Sequence, residues 1–357
     1  MAELRFNPIS REWVMVASHR QARPQMPKDW CPFCPGSGRV PDGGFDVLRY
    51  PNDFPALSQA PPAPDDVAGP LFQVKPAYGR CDVLLYSDRH TATLAAMPDA
   101  HARKIARMWR ECYVDFAADP KIEYVFLFEN RGEPVGVTMP HPHGQAYGYS
   151  YIPAKIQAEL DGAAAYAAER GGACIYCDLL AEERRDGRRV VFENAFFTAY
   201  VPFFSPITYG IHVTARRHVR HIAEMSGEEL DALGETVRDC AGMYDALFDA
   251  AFPYMMCMYN APTPGAGGQQ GVQQGAGGQQ GGQPSAGGQQ GGGGCCASHF
   301  HIKFYPPMRA ADKQQFFASS ETGAGAWCNP SCPEEKAGEL RAAHARFMRA
   351  RQGSAGG

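Results

Sequence analysis

Apolar and polar residues alternate in several short stretches of the chain, the pattern of strands buried on one face. The alternation predicts strands near Trp13–Ala17, Cys81–Tyr86, Glu123–Phe128, Phe197–Val201, Gly210–Val213, Met255–Tyr259 and His299–Tyr305. In the last of these, Phe300, Ile302 and Phe304 fall on one face and His299, His301 and Lys303 on the other. Helical spacing runs from Ala100 to Phe116 and from Glu228 to Phe248, and a third helix is expected over Lys155–Arg170. From about Thr263 to Ser298 the pattern stops. The segment is nearly all Gly and Gln, with Ala-Gly-Gly-Gln-Gln-Gly beginning at Ala266, Ala276 and Ala286. With almost no apolar side chain to bury, residues 263–298 are expected to form a disordered insertion. Patterned sequence resumes at His299, so the insertion interrupts a domain without ending it.

A longer repeat organises the whole chain. The first half reads Cys31-x-x-Cys34, Asn52-Asp53-Phe54, a strand ending in Arg89-His90, a helix, an aromatic-rich strand, then His141-Pro142-His143. The second half reads Cys174-x-x-Cys177, Asn194-Ala195-Phe196, a strand ending in Arg217-His218, a helix, a strand, then His299-Phe300-His301. So many elements recurring in one order imply two copies of one α+β unit packed as a pseudo-dimer, with antiparallel sheets and flanking helices. The expected boundaries are 1–153 for the first unit and 154–350 for the second.

Composition narrows the function classes. The 357 residues carry a net charge of −4, which gives no electrostatic basis for nucleic acid as a bulk partner. Any phosphate must therefore be held by a local site. No apolar run approaches the ~20 residues of a membrane span. The start, Met1-Ala2-Glu3-Leu4-Arg5, has no apolar signal core, so a cytoplasmic location is expected. Of the 12 cysteines, Cys31/Cys34 and Cys174/Cys177 form Cys-x-x-Cys pairs, which in such a chain read as metal ligands. Cys81, Cys112, Cys240 and Cys257 lie in apolar stretches and are expected to be buried.

In the first copy, Cys31, Cys34, His90 and His141 offer two thiolates and two imidazoles, a donor set that suits tetrahedral zinc. Histidines near a Cys-x-x-Cys turn can also be ordinary core residues. His143 lies two residues beyond His141, so in an extended segment both rings share a face. With His141 on a metal, His143 is held beside the site without being a ligand. Imidazole is a competent nucleophile toward phosphorus near neutral pH, and a histidyl-nucleotide intermediate divides one transfer into two easier steps. Gly144 permits close approach of a ligand, and the Gln145 amide can donate to a phosphate oxygen.

His141-Pro142-His143-Gly144-Gln145 resembles the active-site motif of galactose-1-phosphate uridylyltransferases, a branch of the histidine-triad superfamily. Further matches lie at Phe128-Glu129-Asn130-Arg131-Gly132, Thr138-Met139-Pro140, Asn7-Pro8, Glu12-Trp13-Val14, Ser18-His19-Arg20, Arg23-Pro24, Asn52-Asp53-Phe54-Pro55-Ala56-Leu57 and Phe304-Tyr305-Pro306-Pro307. The resemblance implies that His143 becomes uridylylated, in a ping-pong exchange between UDP-glucose and galactose-1-phosphate. It implies phosphate contacts for Arg20, Arg23, Asn130, Thr138 and Gln145, although the family usually has Ser at position 138. Asn52 and Asp53 fall at the uridine end and Glu321 at the hexose. Without the resemblance, Arg20 and Arg23 read as solvated loop residues and Asn52-Asp53 as a turn. A homodimer with sites near the subunit interface is also implied.

The second copy leaves alternatives open for a second metal. Some members bind one through a Glu and three histidines, matching Glu159, Tyr259, His299 and His301, where Tyr259 departs from the pattern. The internal repeat instead points to Cys174, Cys177, His218 and His299, the arrangement resembling related ADP-glucose phosphorylases and the one favoured here. His301 matches His143 in position, but Phe300 and Ile302-Lys303 replace the Pro and the Gly-Gln. The second copy is therefore expected to be catalytically silent. The competing readings are an ADP-sugar phosphorylase using the same histidine, and a non-catalytic zinc-stabilised nucleotide-binding module.

Overall fold

The computed structural model describes residues 2–22, 30–137, 139–265 and 298–355. Among these, nine antiparallel strands form one continuous sheet that runs through both halves of the chain. The first half contributes β1 (Glu3–Asn7), β2 (Glu12–Val16), β3 (Leu48–Pro51), β4 (Val74–Pro76), β5 (Gly79–Leu85), α1 (Asp99–Ala117), β6 (Tyr124–Arg131) and β7 (His143–Tyr149). The second adds α2 (Ala154–Glu169), α3 (Ile175–Asp186), β8 (Val190–Glu193), β9 (Phe197–Tyr200), β10 (Ile211–Ala215), α4 (Gly227–Phe248), β11 (Tyr254–Tyr259) and β12 (His301–Tyr305). A small hairpin, β13 (Met308–Ala310) and β14 (Lys313–Gln314), precedes α5 (Ser319–Ala324) and α6 (Pro333–Ala355).

The order in the large sheet is β3-β5-β7-β6-β11-β12-β10-β9-β8. Read inward from either side, the order is one and the same: β3-β5-β7-β6 in the first copy, β9-β10-β12-β11 in the second, with β8 an added edge. The copies join where β6 pairs with β11, in the register Glu129↔Met256 and Leu127↔Met258. This is the tandem α+β architecture, with antiparallel strands and flanking helices, that the repeat implies.

One face of the sheet is covered by α1, α4 and α6 around a single large core. α1 buries Ile105, Trp109, Cys112 and Phe116, spaced three and four apart, as an amphipathic helix requires. α4 starts at a capping box in which the Ser226 side chain and the Glu229 carboxylate satisfy each other's backbone N–H groups. α1 and α4 cross closely because position 234 is glycine: a Cβ there would lie 2.3 Å from the Ala102 carbonyl oxygen.

Several expected elements shift. β12 starts at His301, leaving His299 just outside it, and its polar face is buried too, with His301 at 3% and Lys303 at 9% exposure. Cys81, Cys112 and Cys240 are buried, while Cys257 is half-buried. The Gly/Gln insertion lies outside the described residues except at its ends. Its expected first residue, Thr263, is buried, with its N–H donating to the Glu123 carbonyl at 3.0 Å.

Candidate functional site

The site lies where β7 begins. β7 runs between β5 and β6, in the registers Leu85↔His143, Val83↔Gln145 and Phe128↔Gln145. Continuing the β6–β7 register by two residues puts Asn130 opposite His143. His143, Gln145, Phe128 and Asn130 thus share the sheet face away from the helices.

His141, just ahead of β7, is fixed at both ring nitrogens. Nε2 donates to the Ser87 carbonyl at 2.7 Å, and Nδ1 lies 3.7 Å from both Cys31 Sγ and Cys34 Sγ. His90 Nδ1 lies 3.5 Å from Cys34 Sγ. The second copy repeats this arrangement: His299 Nε2 donates to the Ala215 carbonyl at 2.9 Å, and its Nδ1 faces Cys174 at 3.9 Å and Cys177 at 3.3 Å. His218 Nδ1 lies 3.4 Å from Cys177 Sγ. Ser87 and Ala215 each stand three residues ahead of the first histidine of the group, His90 and His218, so the repeat holds down to single hydrogen bonds.

In each group the donor atoms lie within 4.8 Å of one another, so each could hold a metal ion. A tetrahedral zinc, with bonds of about 2.3 Å to sulfur and about 2.0–2.1 Å to nitrogen, has S···N edges of about 3.5 Å. The observed S···N distances bracket that value, and two sulfurs with two imidazoles are the soft set zinc takes. Burial lowers the His141 pKa and so keeps its ring neutral, the form a metal requires. Burial pushes the Cys31 thiol up, while hydrogen bonds from Cys177 first, then His299, hold Cys174 down.

The Glu159/His299/His301 alternative is not assembled. The Glu159 carboxylate accepts from Lys303 Nζ at 2.6 and 2.7 Å, and His299 belongs to the cysteine group. The His301 ring is stacked on Tyr259 and Tyr176, each with centroids 4.8 Å away. His301 is buried at this wall of aromatics, which gives physical content to the expectation that the second copy is silent.

His143, by contrast, is half-buried and borders a cavity of about 540 Å³ shared with Asn130, Arg131, Gly132, Pro140 and Ala251. Its Nδ1 lies 2.8 Å from the His141 carbonyl oxygen. A carbonyl only accepts, so Nδ1 carries the proton and Nε2 carries the lone pair. The Phe33 ring of the Cys-x-x-Cys loop lies 6.0 Å from the rings of both His141 and His143.

The other expected residues fall at different distances from this point. Arg20 donates to the Tyr147 hydroxyl at 3.3 Å, over the face that carries His143 and Gln145. His19, next to it, donates to the Pro55 carbonyl at 3.1 Å and so joins this segment to the Asn52–Leu57 loop. Asn52 makes the turn its type suggests, its Oδ1 accepting from the Phe54 N–H at 2.9 Å. Asp53 accepts from Tyr50 at 3.0 Å and Arg39 at 3.4 Å. Glu321 is not among the residues lining the cavity; its carboxylate caps α5 by accepting from the Ala318 N–H at 3.1 Å. Arg23 and Thr138 lie outside the described residues.

Two features went unread in the sequence. Arg131 forms a two-pronged ion pair with Asp245 of α4, at 2.8 and 2.9 Å, tying the end of β6 to α4 of the second copy. Glu129, beside Asn130, is buried beneath the same strand end, and burial pushes its pKa up to about 7. Both belong to the Glu129-Asn130-Arg131 run already quoted, but only the folded chain reveals their partners.

Comparison with known proteins agrees with this geometry. Residues 1–153 match the family model for the N-terminal domain of galactose-1-phosphate uridyl transferase, and residues 159–274 match that for its C-terminal domain. A galactose-1-phosphate uridylyltransferase of Thermotoga maritima is 34% identical, covering 96% of this chain and 98% of that protein. One from Cryptococcus neoformans is 30% identical over 94% of this chain and 89% of its own length. A solved uridylyltransferase structure superposes with a TM-score of 0.81 at 27% identity, covering 96% of this chain and 99% of that one. An ADP-glucose phosphorylase from Arabidopsis thaliana, at 20% identity, 96% and 98% coverage and a TM-score of 0.68, shares the fold. This chain is a uridylyltransferase and belongs to the galactose-1-phosphate uridylyltransferase family.

Proposed function

We propose that the chain exchanges a uridylyl group between UDP-glucose and galactose-1-phosphate through a covalent intermediate on His143. The observation that carries this reading is the 2.8 Å contact from His143 Nδ1 to the His141 carbonyl, which fixes the ring and makes Nε2 the nitrogen that carries the lone pair. Nε2 attacks the α-phosphorus of UDP-glucose and a P–N bond forms. The P–O bond to glucose-1-phosphate breaks, and its electron pair leaves on that product. The ring becomes cationic, and its Nδ1–H bond to the carbonyl strengthens as it does so. A phosphate oxygen of galactose-1-phosphate then attacks the same phosphorus, the P–N bond breaks and UDP-galactose departs. Asn130, Gln145 and Arg20 supply donors for the charge on the transferring group, together with Arg23 and Thr138 by resemblance.

Asn52 and Asp53 serve the uridine end. Cys31, Cys34, His90 and His141 hold a zinc ion, and Cys174, Cys177, His218 and His299 a second. With four protein ligands each, both are structural, and the first acts on catalysis only by fixing His141. The units divide at 153/154, and the enzyme is a cytoplasmic homodimer. Glu321 serves the hexose by resemblance. Among the described residues no helix is long and apolar enough to cross a membrane.

The test is isotope exchange. Labelled glucose-1-phosphate should enter UDP-glucose with no galactose-1-phosphate present, because the first half-reaction is complete and reversible alone. ADP-glucose should support far slower exchange. Exchange that requires galactose-1-phosphate would exclude the covalent route, and faster exchange with ADP-glucose would reassign the donor.

A further inference from the structure

On the side of the sheet away from His143, three polar side chains meet in the core. Glu129 of β6 is 5% exposed, and its Oε1 accepts from the Tyr254 hydroxyl of β11 at 2.8 Å. Its other oxygen, Oε2, and the Tyr86 hydroxyl are both buried, and neither completes a hydrogen bond of ordinary geometry with any described group. One residue beyond the Phe128↔Gln145 pair, Glu129 stands opposite Gly144, against which the Tyr86 hydroxyl lies, so the two groups are neighbours on the core face. Both also line the cavity bordered by His143 and Asn130.

Tyr86 holds the catalytic strand on either side of His143. Its N–H donates to the Pro142 carbonyl at 3.0 Å. Its hydroxyl lies directly beneath Gly144, where a Cβ would be only 2.3 Å from the oxygen. The rest of Tyr86 is fixed as well: its carbonyl accepts from His101 at 2.6 Å, and its ring meets Trp109 edge-on at 5.9 Å. What is left to be set is the direction of the hydroxyl's O–H bond. Its near acceptor is Glu129, since a buried hydroxyl and a buried carboxylate oxygen each lose free energy while unpaired.

We propose that Glu129 is a positioning residue for the uridylyl transfer, acting through the Tyr86 hydroxyl to hold the His143–Gln145 backbone at its working height. Tyr254 anchors Glu129 from the second copy, so the catalytically silent unit contributes one end of the support. A shift of a few tenths of an ångström in this backbone would move the His143 ring and the Gln145 amide together relative to the phosphorus, and such displacement slows reaction more than binding. This inference rests on His143 being the uridylylated residue.

Single-turnover uridylylation by UDP-glucose, without acceptor, tests it in the full-length enzyme. Glu129→Gln and Tyr86→Phe should each slow uridylylation by roughly tenfold or more while changing the apparent affinity for UDP-glucose by less than about twofold. The double variant should be no slower than the worse single one, since both changes break one support. Tyr254→Phe should show a smaller effect of the same kind. Melting temperatures identify any variant that misfolds, and Tyr86→Phe, the smallest change, then carries the test. Parent-like uridylylation in Tyr86→Phe and Glu129→Gln, or a loss confined to UDP-glucose affinity, would overturn the proposal. A parent enzyme that acquires no label on His143 would instead remove the reading beneath it.

Discussion

His143 takes its orientation from His141: the 2.8 Å contact between His143 Nδ1 and the His141 carbonyl links the candidate nucleophile to a residue whose own ring faces two cysteines. The same contact recurs at 2.8 Å between His301 and His299, so the His-x-His arrangement is a property of the repeated unit. What differs is access. His143 borders a cavity, whereas His301 is stacked between tyrosines.

If the first metal group orients His143 through His141, disturbing it should impair chemistry. Cys34 faces both His90 and His141, so Cys34→Ser should release the first metal and lower turnover roughly tenfold or more. Elemental analysis and turnover on one preparation check this. Metal loss with undiminished turnover would mean that His141 is held without it.

The second group should behave differently. Cys177→Ser should remove the other metal and lower the melting temperature, with turnover within about twofold of the parent below that temperature, because the group lies beside His301, which is buried against Tyr176 and Tyr259. A variant that keeps its melting temperature but loses turnover would give the second copy a catalytic role.

Lys303 and Glu159 form a largely enclosed ion pair, with side-chain exposures of 11% and 27%. Lys303→Met leaves the carboxylate without its cation and should cost about 1–3 kcal/mol. Adding Glu159→Gln should restore part of the loss, since the neutral amide no longer needs a counter-charge. Denaturant melts of the three proteins check this, and equal midpoints for Lys303→Met and the parent would contradict it.

Glu129 makes a prediction with a definite sign. Its folded-state pKa, pushed up to about 7 by burial, lies above the carboxyl's ordinary value, so the folded protein holds this proton more tightly than the unfolded chain. The stability this contributes is complete below about pH 4.5 and is lost as pH rises through about 7. Glu129→Gln should remove that decline, worth on the order of 3 kcal/mol across the window. Stability measured against pH for parent and variant decides it; parallel curves would contradict the buried, proton-holding environment.

The proposed ligands and nucleophile were legible in the sequence because their signals are local. Cys-x-x-Cys is a turn, and a spacing of two in an extended segment gives His141 and His143 a common face. β7 itself was not read, for a packing reason. Its core-facing positions are Gly144, Ala146 and Gly148, small because Tyr86 presses on the first and Phe116 and Ile122 on the last. Alternation fails where the buried side chains are missing. α6 was missed similarly: it buries Ala337, Leu340 and Ala343, and its Phe347 packs over Gly242, so its apolar stripe is narrow. Glu129 and Asp245 owe their importance to partners distant in sequence, Tyr254 and Arg131, and no local pattern signals either. The whole-chain repeat supplied the fold because duplication shows in the order of motifs even where single strands are unreadable.

The most direct test of the central claim is the mass of the protein after incubation with UDP-glucose and no acceptor. The account predicts a gain of one uridylyl group, carried by the peptide containing His143, lost on adding galactose-1-phosphate and absent in His143→Gly with its metal content intact. A protein that turns over while its mass stays unchanged, or a uridylyl group on any other residue, would contradict it.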